Sequence, residues 1–328
     1  MTQGGHEQYR NPVKAIITGI TDLFRKREKV GELMSSDRLD GKKVLNTGAS
    51  SGLGYAVARQ LAERGATVIM ACRSGLPEKG EEIRRATGSR NVSMLYVDLS
   101  DTDSIHDLVR QIREQYGTLD IVICNAAVVP RKSRRTRQGV EEMFMVNYLA
   151  KFLFINLLLK EKLIRLKGDP LPRIIFVSSE SHRNPRVFDW EGFGTYQPFA
   201  MNRTVELYGY YKLLLTTFAC ELSRRLNPDG DVQCSVFALC PGPINSNIAR
   251  EAPAAIRPLL RIIFSIFFRS PQKAAEPVVY LAASPALEGK TREYLFLMSR
   301  REMDPKAGDA ANGKRLWDLS ENLIRTMI

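Results

Sequence analysis

From about residue 42 onward, short apolar runs alternate with stretches in which apolar residues recur every three to four positions. KKVLN, TVIMAC, SMLYVD, DIVICN, RIIFVS and VQCSVFAL are nearly continuous apolar runs and read as strands. A strand that is apolar on both sides is one whose two sheet faces are both covered. Between them, GYAVARQLAERG, EKGEEIRRATG and SIHDLVRQIREQYG carry helical spacing. A longer helix is predicted over roughly 141–166, and another begins at LYGYYKLLL and runs into TTFACELSRRL. Regular strand–helix alternation predicts an α/β fold: a single doubly wound parallel sheet with helices on both faces. No repeat, low-complexity tract or Pro/Gly-rich linker divides the chain. The expected organisation is an N-terminal extension at 1–40, one domain at 41–300, and a C-terminal tail with a short helix at 301–328.

Two apolar segments stand outside this alternation. In the extension, Asn11 can cap a helix and Pro12 suits its first turn. Val13, Ile16, Ile17, Ile20 and Phe24 would form one apolar face, followed by Arg25, Lys26, Arg27 and Lys29. Within 253–270, Arg257, Arg261, Ser265 and Arg269 recur every four residues and large apolar side chains fill the rest. A helix with so narrow a polar stripe can lie in a membrane interface. The competing reading is a lid on the body of the protein or a contact in a homodimer.

The net charge of +12 on 328 residues favours anionic partners: nucleic acid, phosphate-bearing cofactors or an anionic membrane. Nucleic acid is not expected, because no aromatic residues interleave the basic loop RKSRRTR at 131–137. The five cysteines form no C-x-x-C pair and the three histidines are far apart, so no metal is expected. The first residues lack a signal-peptide profile, and no uncharged apolar run approaches ~18 residues. These features favour a cytoplasmic protein lying peripherally on a membrane surface.

Candidate chemistry begins at the first strand, which runs into TGASSGLG and directly into a helix. Gly48, Gly52 and Gly54 allow a tight turn and close approach of backbone to phosphate, at a helix N-terminus with free N–H groups. That placement makes the expected sheet Rossmann-type. A second feature is the trio Tyr208, Tyr210 and Tyr211, followed by Lys212. Residues four apart share a helix face, so Tyr208 and Lys212 can share a site. Tyr211 points about 100° away from Lys212 and Tyr210 almost opposite. A nearby ammonium would lower the pKa of Tyr208 and fit it for proton transfer.

These motifs, with VDLSD at 97–101, NAA at 125–127, VN at 146–147, VSS at 177–179 and PGPINS at 241–246, make roughly residues 40–300 resemble the short-chain dehydrogenase/reductase family. ACRS…KGEE and LWDLSENL give the chain the look of the retinol dehydrogenases and their relatives. The resemblance implies a Tyr208 general acid/base, a Lys212 that also binds nicotinamide ribose, and a Ser179 that orients the substrate oxygen, with Ser178 as the competing serine. It implies that Asn147 holds a water linking Lys212 to solvent, a residue that otherwise reads as a helix-kinking core asparagine. The cofactor would lie on Gly48, Ser50, Ser51, Gly52, Leu53 and Gly54, with Asp98 and Leu99 at adenine and Asn125 bracing the loop. Pro241, Gly242 and Ser246 would flank the nicotinamide. Relatives that prefer NAD carry Asp where Cys72 stands, and Arg73 follows here, so NADP(H) is expected over NAD(H). Two residues depart from the family pattern, Ala127 for glycine and Asn46 for an apolar strand residue. The expected reaction is hydride transfer on a small lipophilic alcohol or carbonyl of the retinoid, steroid or fatty-aldehyde kind. Reduction of an activated C=C bond and a non-catalytic NADP-binding scaffold are the alternatives.

Overall fold

In the computed structural model, residues 28–243 and 269–327 are described. The bulk of the N-terminal segment, the stretch at 253–268 and Ser246 lie outside them. β1 (Lys43–Thr47), β2 (Thr67–Cys72), β3 (Val92–Tyr96), β4 (Ile121–Cys124), β5 (Arg173–Val177) and β6 (Ser235–Cys240) are the six strands expected from the apolar runs. The sequence pattern did not single out β7 (Glu293–Phe296) and β8 (Ser299–Arg300), which close the sheet in the order β3-β2-β1-β4-β5-β6-β7-β8. All neighbours are parallel except β7 and β8. Strand order runs outward in both directions from the β1–β4 pair. In such sheets, ligands lie beyond the carboxyl ends of the strands at that switch.

The helices form because their apolar faces meet this sheet. On one face, α1 (Gly52–Glu63), α2 (Glu78–Thr87) and α6 (Pro271–Ala283) bury Val57, Leu61, Ile83, Val278 and Leu281. On the other lie α3 (Thr102–Gln115), α4 (Glu142–Lys160) and α5 (Met201–Leu226), with Ile105, Phe152, Leu214 and Phe218 buried. α4 stops at Lys160 rather than near 166, because the chain turns there through Lys162 in a left-handed conformation (φ 56°). Of the helices described, α4 is long and apolar enough to cross a membrane, but 83% of its apolar window lies buried inside the fold, the signature of a core helix.

The C-terminal residues form more than the short helix expected. A turn, α7 (Pro305–Gly308), leads into α8 (Ala310–Met327), which lies along α5. Trp317 meets Phe152 and Phe218 at ring-centroid distances of 5.0 and 5.8 Å, and the Arg225 guanidinium covers its ring at 4.0 Å. Tyr148 and Ser320 share a buried hydroxyl–hydroxyl hydrogen bond of 2.6 Å. The tail is thus sealed to the helices that carry the candidate catalytic residues.

Candidate active site

The loop after β1 is shaped by residues that must lack a side chain. Gly48 and Gly52 have φ of 67° and 53°, left-handed values that favour glycine. A methyl on Gly48 would come within 2.8 Å of the Ala126 backbone, and one on Gly54 within 2.3 Å of the Gly48 carbonyl. The loop is therefore folded flat against β4, and α1 starts immediately beyond it. Asn125 fixes this arrangement: its Nδ2 donates to the carbonyls of Thr47 (2.9 Å) and Gly48 (3.3 Å). The Thr47 hydroxyl accepts from the backbone N–H groups of Asn125 and Ala126 at 3.1 and 3.2 Å. Asn46 does a related job. Fully buried in β1, its Nδ2 donates to the Gly54 carbonyl at 2.8 Å, tying strand to helix start. Its polarity at an apolar strand position is thereby explained. Ala127 is exposed, so its methyl meets no crowding.

Leu53 and Leu99 are buried beneath this edge, Ser51 and Gly52 are exposed on it, and Ser50 lies against the buried Cys72 thiol. A Cβ on Gly52 would meet nothing within 4 Å, so the loop turns an open backbone surface outward at the start of α1. That surface fits an anionic dinucleotide. Arg73, just past β2, brings its guanidinium 3.7 Å from the Asp98 carboxylate. Burial opposes ionisation of Asp98, but hydrogen bonds from Ser100 and the charge of Arg73 outweigh it and hold the carboxyl below its usual range. Pro241 is buried, and Gly242 (φ 81°) follows β6 with Leu297 pressed against it.

The second group gathers at the carboxyl end of β5. Ser178 is buried and its hydroxyl is committed to Thr216 at 2.7 Å. Ser179, one residue further, is half-buried; its Oγ accepts from the Ser181 N–H (3.3 Å) and hydrogen-bonds the Tyr208 side chain. Of the two serines, only Ser179 faces Tyr208. The three tyrosines also separate. Tyr210 is pinned to the Asp189 backbone by two hydrogen bonds, at 3.0 and 3.1 Å. Tyr211 is buried against Phe144, ring centroids 5.6 Å apart. Tyr208 is left to Ser179 and Lys212.

Lys212 is fully buried. Its Nζ lies 5.5 Å from the Tyr208 ring centroid and donates to the Val177 carbonyl at 2.7 Å. Burial pulls its pKa down to about 8, partly offset by the Cys240 thiol. Burial likewise pushes the Tyr208 hydroxyl well above its ordinary value, with Cys240 adding to the rise and Ser179 opposing it. The expected lowering of Tyr208 by Lys212 is therefore not seen here: the ammonium is turned to a carbonyl and its own charge is weakened by the same burial.

Asn147 sits in a π-helical turn, Met145–Leu149, inside α4. The turn rotates its buried side chain out of the helix, where Oδ1 accepts from Val128 N (2.8 Å) and Nδ2 donates to Val128 O (2.9 Å). The helix irregularity and the clamp on the loop after β4 are one feature. His182, set aside in the sequence because it had no metal partners, proves to be structural support for Ser179. Its Nδ1 is 2.7 Å from the Ser179 carbonyl, and Nε2 accepts from Asp304 N at 3.2 Å. Burial, helped by Arg183, lowers its pKa to about 4 and keeps it neutral. Lys151 is a second residue the sequence reading passed over; its signal was a lone lysine in an apolar helix, four residues after Asn147.

A separate cavity of about 310 Å³ lies between α4, the start of α5 and the segment 184–197, walled by Phe144, Phe193, Tyr210 and Tyr211. Ser179, Tyr208 and Lys212 are not among the residues that line it.

Residues 42–190 match the family described as short chain dehydrogenase. The chain is 32% identical to retinol dehydrogenase 14 of Homo sapiens over 87% of each chain. It is 34% identical to retinol dehydrogenase 13 of Mus musculus, over 95% of this chain and 93% of that one. Among solved structures, an uncharacterized protein from Mycobacterium paratuberculosis superimposes with a TM-score of 0.68 at 27% identity, covering 90% of this chain and 98% of that one.

Proposed function

The chain belongs to the short-chain dehydrogenase/reductase family and is an NAD(P)-dependent oxidoreductase acting on CH–OH or C=O groups; from that premise we propose an NADP(H)-preferring enzyme of small lipophilic alcohols and carbonyls, with Tyr208 as general acid/base. The observation that carries this reading is the convergence of Ser179, Tyr208 and Lys212 at the end of β5, while Ser178, Tyr210 and Tyr211 are each committed elsewhere.

Gly48 to Gly54, Asp98, Leu99 and Asn125 would hold the dinucleotide, with Pro241 and Gly242 at its nicotinamide end; when bound, it donates or accepts a hydride. The Tyr208 hydroxyl gives a proton to the substrate oxygen on reduction and takes it back on oxidation. Ser179 donates a hydrogen bond to that oxygen and fixes its distance from Tyr208. Lys212, held on the Val177 carbonyl 5.5 Å from the Tyr208 ring, would bind the nicotinamide ribose. Lipophilicity of the substrate is supported by the retinol dehydrogenase relatives and by the apolar 253–270 segment, whose proposed place is on an anionic membrane surface. NADP(H) preference is supported by Arg73, exposed beside Asp98, with Cys72 where a carboxylate would repel a 2′-phosphate.

The test is a panel of retinoids, steroids and aldehydes with consumption of NADPH and NADH followed in parallel. NADPH should support the faster turnover. Arg73→Ala should weaken NADPH binding by about 1.5–3 kcal/mol, one to two decades, and leave NADH binding nearly as it was. Equal losses for both cofactors would remove Arg73 from the 2′-phosphate, and turnover of only polar substrates would end the lipophilic reading.

A further inference from the structure

Lys151 is a lysine in the interior with no carboxylate partner among the described residues. It projects from α4, one helical turn beyond Asn147, and is 2% exposed. Its Nζ donates to the carbonyls of Val146 (2.8 Å) and Asn147 (3.1 Å), both in the π-helical turn. A π turn shifts the helical hydrogen-bond ladder by one residue, so an added donor at its carbonyls steadies it. The titratable groups acting on Lys151 come from two neighbouring elements: Lys212 of α5 and the Cys124 thiol of β4. Burial, reinforced by the like charge of Lys212 and opposed by Cys124, lowers its pKa far below that of a free lysine. An uncharged amine has two N–H groups and a lone pair. The two carbonyls take two N–H donors, which an uncharged amine can supply in full.

We propose that Lys151 is a positioning residue of the proton-transfer site: its amine holds the Val146 and Asn147 carbonyls of the π turn and so aims the Asn147 side chain at Val128. This rests on the reading of Tyr208 and Lys212 as the proton-transferring pair. It accounts for a lysine where an apolar side chain would fill the same space at lower desolvation cost. It also assigns the two buried lysines different work. Lys212 faces Tyr208, and Lys151 holds the turn that carries Asn147.

The experiment measures kcat, kcat/KM, NADPH affinity and thermal stability across pH for the full chain and for Lys151→Met, Lys151→Gln and Lys151→Arg. Lys151→Met removes both N–H donors at similar volume and should lower kcat by about 10- to 100-fold while NADPH affinity changes little. Lys151→Gln keeps uncharged donors and should recover part of that loss. Lys151→Arg imposes a permanent charge, which disfavours the Lys212 ammonium and should move the pH limb of kcat/KM about one unit lower. Wild-type kcat in Lys151→Met would overturn the proposal. So would a loss of the same factor at every pH in all three variants with lowered thermal stability, the mark of a staple and nothing more. If Lys151→Met does not fold, the Gln and Arg profiles decide. Tyr208→Phe is measured alongside: retained turnover there sinks the underlying pair, whereas an inactive Tyr208→Phe with unaffected Lys151 variants sinks this inference alone.

Discussion

The two sides of the site are built from opposite materials. On the glycine-loop side, the proposed cofactor surface is made of backbone and the absence of side chains: Gly48 and Gly54 leave no room for a methyl, and the Asn46 and Asn125 amides hold carbonyls in place. On the β5–α5 side, the proposed chemistry lies in side chains taken out of water: Lys212 and Asn147 are at or near zero exposure, and Ser179 and Tyr208 are half-buried beside them. The first side needs space and rigidity. The second needs ionisable groups whose protonation is shifted by burial. Damage to the loop should therefore read out as cofactor affinity, and damage to the catalytic face as turnover.

The sharpest separation is at Tyr208. Tyr208→Phe deletes one hydroxyl and should lower kcat by about 10²- to 10⁴-fold, the usual worth of a general acid/base, with NADPH affinity nearly intact. Tyr210→Phe and Tyr211→Phe should keep most of the activity, because the Tyr210 hydroxyl is held by the Asp189 backbone and the Tyr211 ring packs on Phe144. Steady-state kinetics with direct cofactor titration decides it. Loss of binding rather than turnover in the Tyr208 variant would break the division of labour.

The converse probe is Gly54→Ala. Its methyl would sit 2.3 Å from the Gly48 carbonyl and 2.5 Å from Asn125 Nδ2, so the loop must shift. Overpacking of this kind costs about 1–3 kcal/mol. NADPH affinity should fall roughly 10- to 100-fold, with kcat at saturating cofactor far less affected. A variant with normal affinity and a collapsed kcat would show that the two sides are not separable.

The smallest change in activity is expected at His182, whose ring nitrogens meet only backbone atoms, the Ser179 carbonyl and the Asp304 N–H. Its folded-state pKa of about 4 lies below the ordinary 6.5, so the unfolded chain binds the proton more readily. The stability it contributes is complete above about pH 6.5 and is lost as pH falls through 6.5 towards 4, to a total of about 3 kcal/mol. His182→Gln should flatten that dependence in urea unfolding at pH 7 and pH 5 while turnover at pH 7 changes little. An identical pH slope in the variant would mean that other groups govern acid stability.

What each residue revealed in the sequence follows from the range of the interaction it makes. Tyr208 and Lys212 were legible because residues four apart on a helix must share a face. The glycine loop was legible because a turn between strand and helix has only backbone to work with. Asn147 and Lys151 obey the same four-residue rule, but the π turn that gives them meaning is not written in apolar spacing. The family pattern favours Ser179 over Ser178, and the physical reason lies in Thr216, on a helix 38 residues after Ser178, whose hydroxyl occupies that of Ser178. His182 gained its role from Asp304, the N-cap of α7, which lies 122 residues further along the chain.

The sequence alone thus determined the α/β alternation, six parallel strands, the phosphate loop and the tyrosine–lysine pair, since periodicity and turn chemistry are local and fix which face is covered. Tertiary structure alone decided the sealing of the tail by Trp317 and Ser320, the two added strands at the sheet edge, and the direction in which burial shifts Tyr208 and Lys212. The ammonium meant to lower Tyr208 is itself desolvated, and desolvation depends on everything packed around a group, which no short stretch of sequence encodes.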